Sequence, residues 1–514
     1  MEKLLVIIGE IDMKLNPIFE KVNKFHDSKY IYTLPEYKSA IVLELLRHPG
    51  KPICLKTDLI KSVNMYLQTK IQLEYIPKIV SNITLLEKYT PIKQKSIEWL
   101  EARKNLISAS EAGYLLGFCA TSQIINYLKS KCGCQTSLES LKYLGSINHG
   151  VIFEDVSRLI YESRNNVIVK EFGLITTSKN IIIGASPDGI VMSSSNFNAD
   201  TYNIEKIGRL LEIKNPYSWD DKKDIKPEYA VQILQQQYAM DIPICDFVKS
   251  HIISCDYNKN AENAGYIQYT KLDDMLDDIF INDGSHIIGN DNIPLENLCS
   301  LGNEKGVLIK AKILKDNIKL NDEEIIIRIY PITIKYEKTK ILEWIDNTIN
   351  EIKTEYNLSS EYVYNNISVK YWYVASYNQK TYIYNQSLYE ENYLPRLNLI
   401  WNAILHIRNI GEVHGIEKMT KFIDNIIKPH LTNTGAYYRD TSRERFNEIC
   451  KLWSAITTIN IDMIENNCVN NGNNCDNSDN IKNDASIYGK DNSSKPKIKK
   501  RNKPRKKEII ELDF

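Results

Sequence analysis

The apolar residues between positions 148 and 254 change period twice, and that change limits the fold more than any other feature of the chain. Over 148–162, Val151, Ile152, Val156, Leu159 and Ile160 recur at the helical period and predict a helix with one apolar face. Short β-branched or aliphatic runs then follow at 167–176, 181–185, 190–192 and 210–213, bounded by Asn, Gly, Pro and Ser, which is the pattern of strands and tight reversals. Pro227 suits the first turn of a second helix, expected over 227–241, and 246–254 returns to strand. Helix, several strands, helix and strand in that order predict an α/β class with a central mixed β-sheet flanked by helices.

The flanks divide by composition. Residues 1–89 alternate short apolar runs with charged turns and carry no motif; they are expected to form an amino-terminal extension of unknown role, ending where Pro91 disfavours helix before it. From Ser96 the pattern is helical through Ile97, Leu100 and Leu106, and Ser108 with Glu111 has capping-box spacing. The core is expected over 90–265. A mixed α/β extension over 266–464 should pack on it, with strand-like 324–330 and 369–376 and helical 338–353 and 395–407. The last stretch, 465–514, is Asn-rich and then basic, and its composition predicts disorder.

Charge needs the same division. The 514 residues hold 65 Lys and Arg against 65 Asp and Glu, which excludes a uniformly basic coat protein. Zero is a cancellation, however. Positions 490–514 hold ten basic residues against four acidic, leaving 55 basic against 61 acidic in the rest. Lys499, Lys500, Arg501 and Arg505 are therefore candidates for nonspecific, salt-sensitive contact with phosphates, although such runs also serve as solvated tails or nuclear-import signals. The ten cysteines show no paired spacing, as expected of reduced thiols inside a cell. The first apolar run stops at Glu10 and Asp12, too soon for a signal segment, and no stretch reaches the roughly 20 apolar residues of a membrane span. A soluble, intracellular protein is expected.

Two carboxylates stand where chemistry could be done. Ser186-Pro187-Asp188-Gly189 follows one apolar strand and precedes another, so Asp188 sits at a strand end beside a reversal, although Pro-Asp-Gly is also an ordinary turn. In Leu211-Glu212-Ile213-Lys214 the two-residue strand period puts Glu212 and Lys214 on one face and Ile213 on the other, which an exposed salt bridge would do equally. If the two strands are neighbours, an Asp, a Glu and a Lys converge at sheet ends, an arrangement that suits a hard, oxygen-bound Mg²⁺ and a lysine acting on water. Glu154 lies on the preceding helix, with Arg158 in reach as a plain helical partner. Tyr229, Gln232 and Gln236 share a face of the following helix, as residues of a solvated surface could also do.

In order, Gln94, Trp99, Arg103 and Ser108-Ala109-Ser110, then Gly150 with Glu154, Ser186-Pro187-Asp188-Gly189, Leu211-Glu212-Ile213-Lys214, and Tyr229 with Gln232 resemble the lambda-type exonuclease and YqaJ-like viral recombinase family. That family is a branch of the PD-(D/E)XK nuclease superfamily, and large DNA viruses are among its sources. The resemblance is clear over 91–255 and weak to about 410. It implies a restriction-endonuclease-like core and a Mg²⁺- or Mn²⁺-dependent DNA exonuclease, 5′→3′ on linear duplex ends, serving recombination, repair or genome processing. Glu154, Asp188, Glu212 and the Ile213 backbone carbonyl would hold one or two ions, Lys214 would polarise the attacking water, and Gln232 would orient both. Arg103 and Ser110 match the residues that bind the 5′ phosphate, and Tyr229 and Gln236 would support the site.

The same resemblance implies a single-strand annealing partner, a ring-shaped homo-oligomer, and residence in the host cytoplasm or nucleus without a membrane. The family often reads Tyr-x-x-Gln-x-Gln; here the second Gln position is Leu234, which leaves Gln235 or Gln236 as its substitute. Cys132-x-Cys134 lacks the spacing of the iron–sulfur branch, and His149 is expected to be structural. An endonuclease or RNA-degrading variant, and a non-catalytic nucleic-acid scaffold on a decayed nuclease fold, are the alternatives.

Overall fold

The computed structural model describes residues 2–23, 28–51, 55–89, 92, 94, 96–134, 145–192, 204–217, 225–256, 304–314, 323–330, 338–359, 366–429 and 451–457. The expected disordered tail at 465–514, with Lys499, Lys500, Arg501 and Arg505, lies outside them.

The chain opens with four helices, α1 (Glu2–Asn23), α2 (Pro35–Arg47), α3 (Lys56–Lys70) and α4 (Ile76–Tyr89), the last two joined by a π-helical turn. They do not stand apart. Ile8, Ile31, Tyr37, Ile41 and Val63 share one buried core with Leu128, Val231 and Ile404 much later in the chain. The seam is tight at Gly208, where φ is +81° and a Cβ would come within 2.0 Å of Ile79 Cγ1, so both backbone conformation and close approach require glycine. Beside it, Tyr75 donates to the Ile207 carbonyl at 2.5 Å and Arg209 Nη2 to the Thr33 carbonyl at 3.0 Å.

Next come α5 (Ile97–Lys104), β1 (Ile107–Ser108), α6 (Ala109–Leu115), α7 (Thr121–Lys131) and α8 (Gly145–Asn165). Ser96 caps α5 by accepting from Trp99 N at 3.1 Å. The expected capping box forms at α6, with Ser108 N donating to Glu111 Oε2 at 3.1 Å. The single strand expected over 167–176 is instead two, β2 (Ile168–Lys170) and β3 (Ile175–Thr177), which pair in different sheets. β4 (Asn180–Ala185), β5 (Gly189–Met192), β6 (Leu210–Lys214), α9 (Pro227–Met240) and β7 (Ile244–Asp256) follow as the periodicity predicts.

The carboxy-terminal half adds β8 (Lys305–Leu314), β9 (Glu323–Ile329), α10 (Lys338–Glu355), β10 (Ile367–Ile383), α11 (Leu394–His414) and α12 (Ile416–Phe422). Strand β8 has no counterpart in the sequence reading, because Lys310 and Lys312 interrupt its apolar run. In the fold Val307, Ile309 and Ala311 face one buried layer and Leu308 the other. Strand β10 is longer than the expected 369–376 and pairs with both β7 and β8.

The main sheet has the order β2-β5-β6-β7-β10-β8-β9, and a small sheet has β1-β4-β3. Within the main sheet β6 and β7 run parallel and the other pairs antiparallel, a mixed sheet with helix α8 on one face and α9 on the other, as the α/β reading requires. Among the described residues no helix is long and apolar enough to cross a membrane. Cys119, Cys132, Cys134 and Cys245 are buried free thiols.

Candidate active site

Antiparallel pairing of β5 with β6 sets Gly189 opposite Leu211, so the turn bearing Asp188 meets the strand end bearing Glu212. Gly189 must be glycine, since a Cβ there would lie 2.1 Å from Val169 Cγ1 on β2. Asp188 Oδ2 accepts from Ile213 N at 2.6 Å, which locks the two strand ends together. The two-residue period holds: Ile213 packs with Leu211, Val248 and Tyr161, while Glu212 and Lys214 look toward α9.

Glu212 is fully buried and accepts from three side chains. Its Oε1 accepts from the Lys214 ammonium and from Gln232 Nε2 at 2.6 Å, and its Oε2 from Gln236 Nε2 at 2.7 Å. Of the two candidates Gln235 and Gln236, it is Gln236 that reaches Glu212. Gln236, one helical turn beyond Gln232, shares its face. Gln235 points away and donates to the carbonyls of Ile107 at 2.8 Å and Gly184 at 3.0 Å, tying β1 to β4. Tyr229 stands over the other side of Lys214, whose Nζ is 5.0 Å from the ring centroid.

These contrasting roles are testable. Gln236→Leu should lower activity by about 10–100-fold, the usual cost of losing a group that orients a ligand. Gln235→Leu should instead cost about 1–3 kcal/mol of stability for the stranded carbonyls and leave activity per folded molecule intact. Turnover normalised to folded protein, beside a denaturation curve, checks both.

Burial, and then the charges of Glu212 and Glu154, push the Asp188 carboxyl well above the usual carboxylate range, against the opposing pull of Lys214 and the Ile213 N–H. Burial also works against the Lys214 ammonium, but Glu212 and Asp188 outweigh it and its pKa is raised. Glu154 thus belongs to the same electrostatic cluster. Arg158, its expected helical partner, pairs with Asp155 at 3.1 Å and Glu171 at 3.4 Å.

Arg103 and Ser110 form a second cluster. Arg103 Nη2 donates to Ser108 Oγ at 2.7 Å and Ser110 Oγ at 3.0 Å, and its guanidinium lies 4.2 Å from the Trp99 ring centroid. Trp99 Nε1 in turn donates to Ser186 Oγ at 3.0 Å, which links this cluster to the Asp188 turn. Gln94 Nε2 braces the same turn through the carbonyls of Pro187 and Phe172, both at 2.9 Å.

Several contributors escaped the sequence reading. Asn215 accepts from Ser157 Oγ at 2.6 Å and anchors the chain beyond Lys214 to α8; a lone Asn after a strand carries no signal of this. Glu111 was read only as a helix cap, and Lys131 not at all. His149 is half-buried, 4.7 Å from the Phe153 ring and 5.6 Å from the Tyr217 ring, and burial lowers its pKa to about 4, in keeping with a structural role.

In donor chemistry the cluster suits a hard divalent cation, because three carboxylates on separate elements converge and, after burial, the charges of Glu212 and Glu154 raise the Asp188 pKa. Among the described residues, no three His, Cys, Asp or Glu side chains already enclose a common point. Glu212 would have to exchange protein donors for the ion.

A family model for the YqaJ-like viral recombinase domain matches residues 98–241, inside the 91–255 marked by the motifs. An uncharacterized protein of Acanthamoeba polyphaga mimivirus is 27% identical over 372 residues, covering 70% of this chain. The match spans 61% of that relative's length. Among solved structures, the alkaline exonuclease LHK-Exo of Laribacter hongkongensis is similar at 26% identity over 30% of this chain and 74% of its own, with a TM-score of 0.24. Its complex with dAMP matches at 27% identity with the same coverage and TM-score.

Proposed function

We propose that this chain, whose residues 98–241 match the YqaJ-like viral recombinase domain, is a divalent-metal-dependent deoxyribonuclease that degrades linear duplex DNA 5′→3′ from its ends. The observation that carries the proposal is the joint made by Asp188, Ile213 N–H, Glu212 and Lys214, which gathers acidic oxygens and one ammonium at the ends of two paired strands.

In this reading Glu154, Asp188, Glu212 and the Ile213 carbonyl would hold one or two Mg²⁺ or Mn²⁺ ions, which supply charge stabilisation and an activated nucleophile to phosphodiester hydrolysis. Asp188 is held in place by the Ile213 amide. Gln232 and Gln236 fix the Glu212 carboxylate and limit its rotation. The raised pKa of Lys214 supports an ammonium that orients and polarises the attacking water rather than a base that takes its proton. Arg103 and Ser110 would receive the 5′ phosphate, next to the Trp99–Ser186 link that reports on the Asp188 turn.

The test is degradation of four substrates by purified protein with and without Mg²⁺: linear duplex with a 5′ phosphate, linear duplex with a 5′ hydroxyl, a covalently closed circle, and RNA. Metal-dependent loss of the linear duplexes alone is expected. Cleavage of the circle would indicate an endonuclease and loss of RNA a ribonuclease. DNA retention without turnover would replace the proposal with a binding scaffold. A homo-oligomeric ring and a single-strand annealing partner follow from the same family resemblance, and sedimentation with and without DNA would test the ring.

A further inference from the structure

We propose that Lys131 is a buried counter-charge which leaves the Arg103 guanidinium net attractive to anions, and that it thereby sets a preference for 5′-phosphorylated over 5′-hydroxyl DNA ends. This rests on the 5′-phosphate role given above to Arg103 and Ser110.

Arg103 faces an acid. Glu111 Oε1 lies 3.4 Å from Arg103 Nη2, and the Glu111 side chain is only 8% exposed. Alone, such a pair is neutral and its carboxylate would repel an incoming phosphate. Lys131, at the end of α7 and 3% exposed, changes that balance: its Nζ lies 2.8 Å from Glu111 Oε2. The same Nζ donates to the carbonyl of Leu106 at 2.7 Å and to that of Arg103. Three acceptors around one nitrogen match the three donors of an ammonium, whereas a neutral amine has two. All are spent inside the protein, so Lys131 is a positioning residue and makes no contact with the ligand itself.

Burial lowers the Lys131 pKa against the opposing pull of Glu111, but the three acceptors around its nitrogen hold the ammonium, so the trio carries two positive charges and one negative, and Arg103, at 19% side-chain exposure, is its outward member. Its partners Ser108 and Ser110 keep the guanidinium turned toward two hydroxyls, and the Trp99 ring covers one face. Burial disfavours the Glu111 carboxylate, yet Lys131 and Arg103 hold its pKa below the usual range, so the negative charge is present and is divided between them. Arg408 secures the Lys131 end of α7 by donating to the Lys131 carbonyl at 2.6 Å from Nη2 and 2.8 Å from Nε. A buried ion pair of this kind contributes little net stability compared with apolar packing. Its effect is on the charge of the neighbour that remains exposed.

The experiment compares kcat/KM of the full chain with Mg²⁺ on linear duplexes that differ only in a 5′ phosphate or 5′ hydroxyl. Wild type should favour the phosphate. Lys131→Met should lower the ratio by at least about tenfold, or ~1.4 kcal/mol. Adding Glu111→Gln removes the unopposed carboxylate while keeping a residue that can complete the capping box. The double variant should return the ratio to within about threefold of wild type. An unchanged ratio in Lys131→Met, or a ratio not recovered in the double variant, overturns the inference. If Lys131→Met fails to fold by circular dichroism, the double variant decides alone: a preference kept supports the inference and a preference lost overturns it. Equal turnover of both ends by wild type would refute the inference and leave the nuclease standing, whereas no turnover of either would refute the nuclease itself.

Discussion

Asp188→Asn is expected to lower phosphodiester hydrolysis by ~10³-fold or more, because metal-assisted charge stabilisation is worth several kcal/mol. The same change should raise the melting temperature of the metal-free protein. Asn keeps a carbonyl oxygen to accept from Ile213 N, now at 2.6 Å from Asp188 Oδ2, so the joint between β5 and β6 survives. What disappears is the cost of holding a carboxylate in a buried position beside Glu212 and Glu154, since burial first and then those two charges raise the Asp188 pKa. A stability gain from removing one acid of such a buried cluster is the expected trade of stability for function. Activity within tenfold of wild type would remove Asp188 from the chemistry, and a lowered melting temperature would contradict the repulsion. Glu212 is the poorer choice for this experiment, although the motif alone marks it equally. Its removal strands the Lys214 ammonium and two buried amides, so lost activity would be confounded with lost structure.

Asp246→Ala is expected to have the largest effect on stability, about 3–5 kcal/mol, the usual cost of breaking a buried ion pair from one side. Asp246 is fully buried on β7, in register with Leu211 and hence on the sheet face away from Glu212. It accepts from Lys206 Nζ at 2.6 Å, Arg209 Nη1 at 3.1 Å, Tyr161 at 2.8 Å and Thr381 at 2.7 Å. Burial opposes its charge, but Arg209 and Lys206 hold its pKa below the usual range. Through Arg209, which also donates to the Thr33 carbonyl, this one carboxylate joins β6, β7, β10 and the amino-terminal helices. Denaturant unfolding should show the loss with metal affinity little changed. A loss under about 1 kcal/mol would mean that the network is no stronger than a surface pair.

The two aspartates differ in how far along the chain their surroundings are drawn from. Asp188 was readable because its turn, its strand and the Glu-x-Lys strand after it are local patterns, each decided within a few residues. Asp246 lies in an equally strand-like segment, yet its partners come from positions 161, 206, 209 and 381. No short spacing announces them. Strand β8 escapes the periodicity for a related reason: its lysines look like a solvated face, yet Lys310 shares the face of Leu308, which packs in a buried layer, and ends 8% exposed. The break of 167–176 into β2 and β3 likewise depends on which neighbours each half finds.

Backbone periodicity and short-range spacing in the sequence set the order of helices and strands around the candidate site and place Glu212 and Lys214 on one face, while the ordered motifs carry the resemblance to the YqaJ-like family. Long-range packing settles that Gln236 rather than Gln235 reaches Glu212, that the Glu154 charge acts on Asp188, and that α1–α4 share the core of the rest. It alone decided that Lys131 stands behind Arg103. Those outcomes depend on which buried donor meets which acceptor across distant segments. Burial makes each such match costly to leave unmade, and only the packed chain brings the partners within hydrogen-bonding distance.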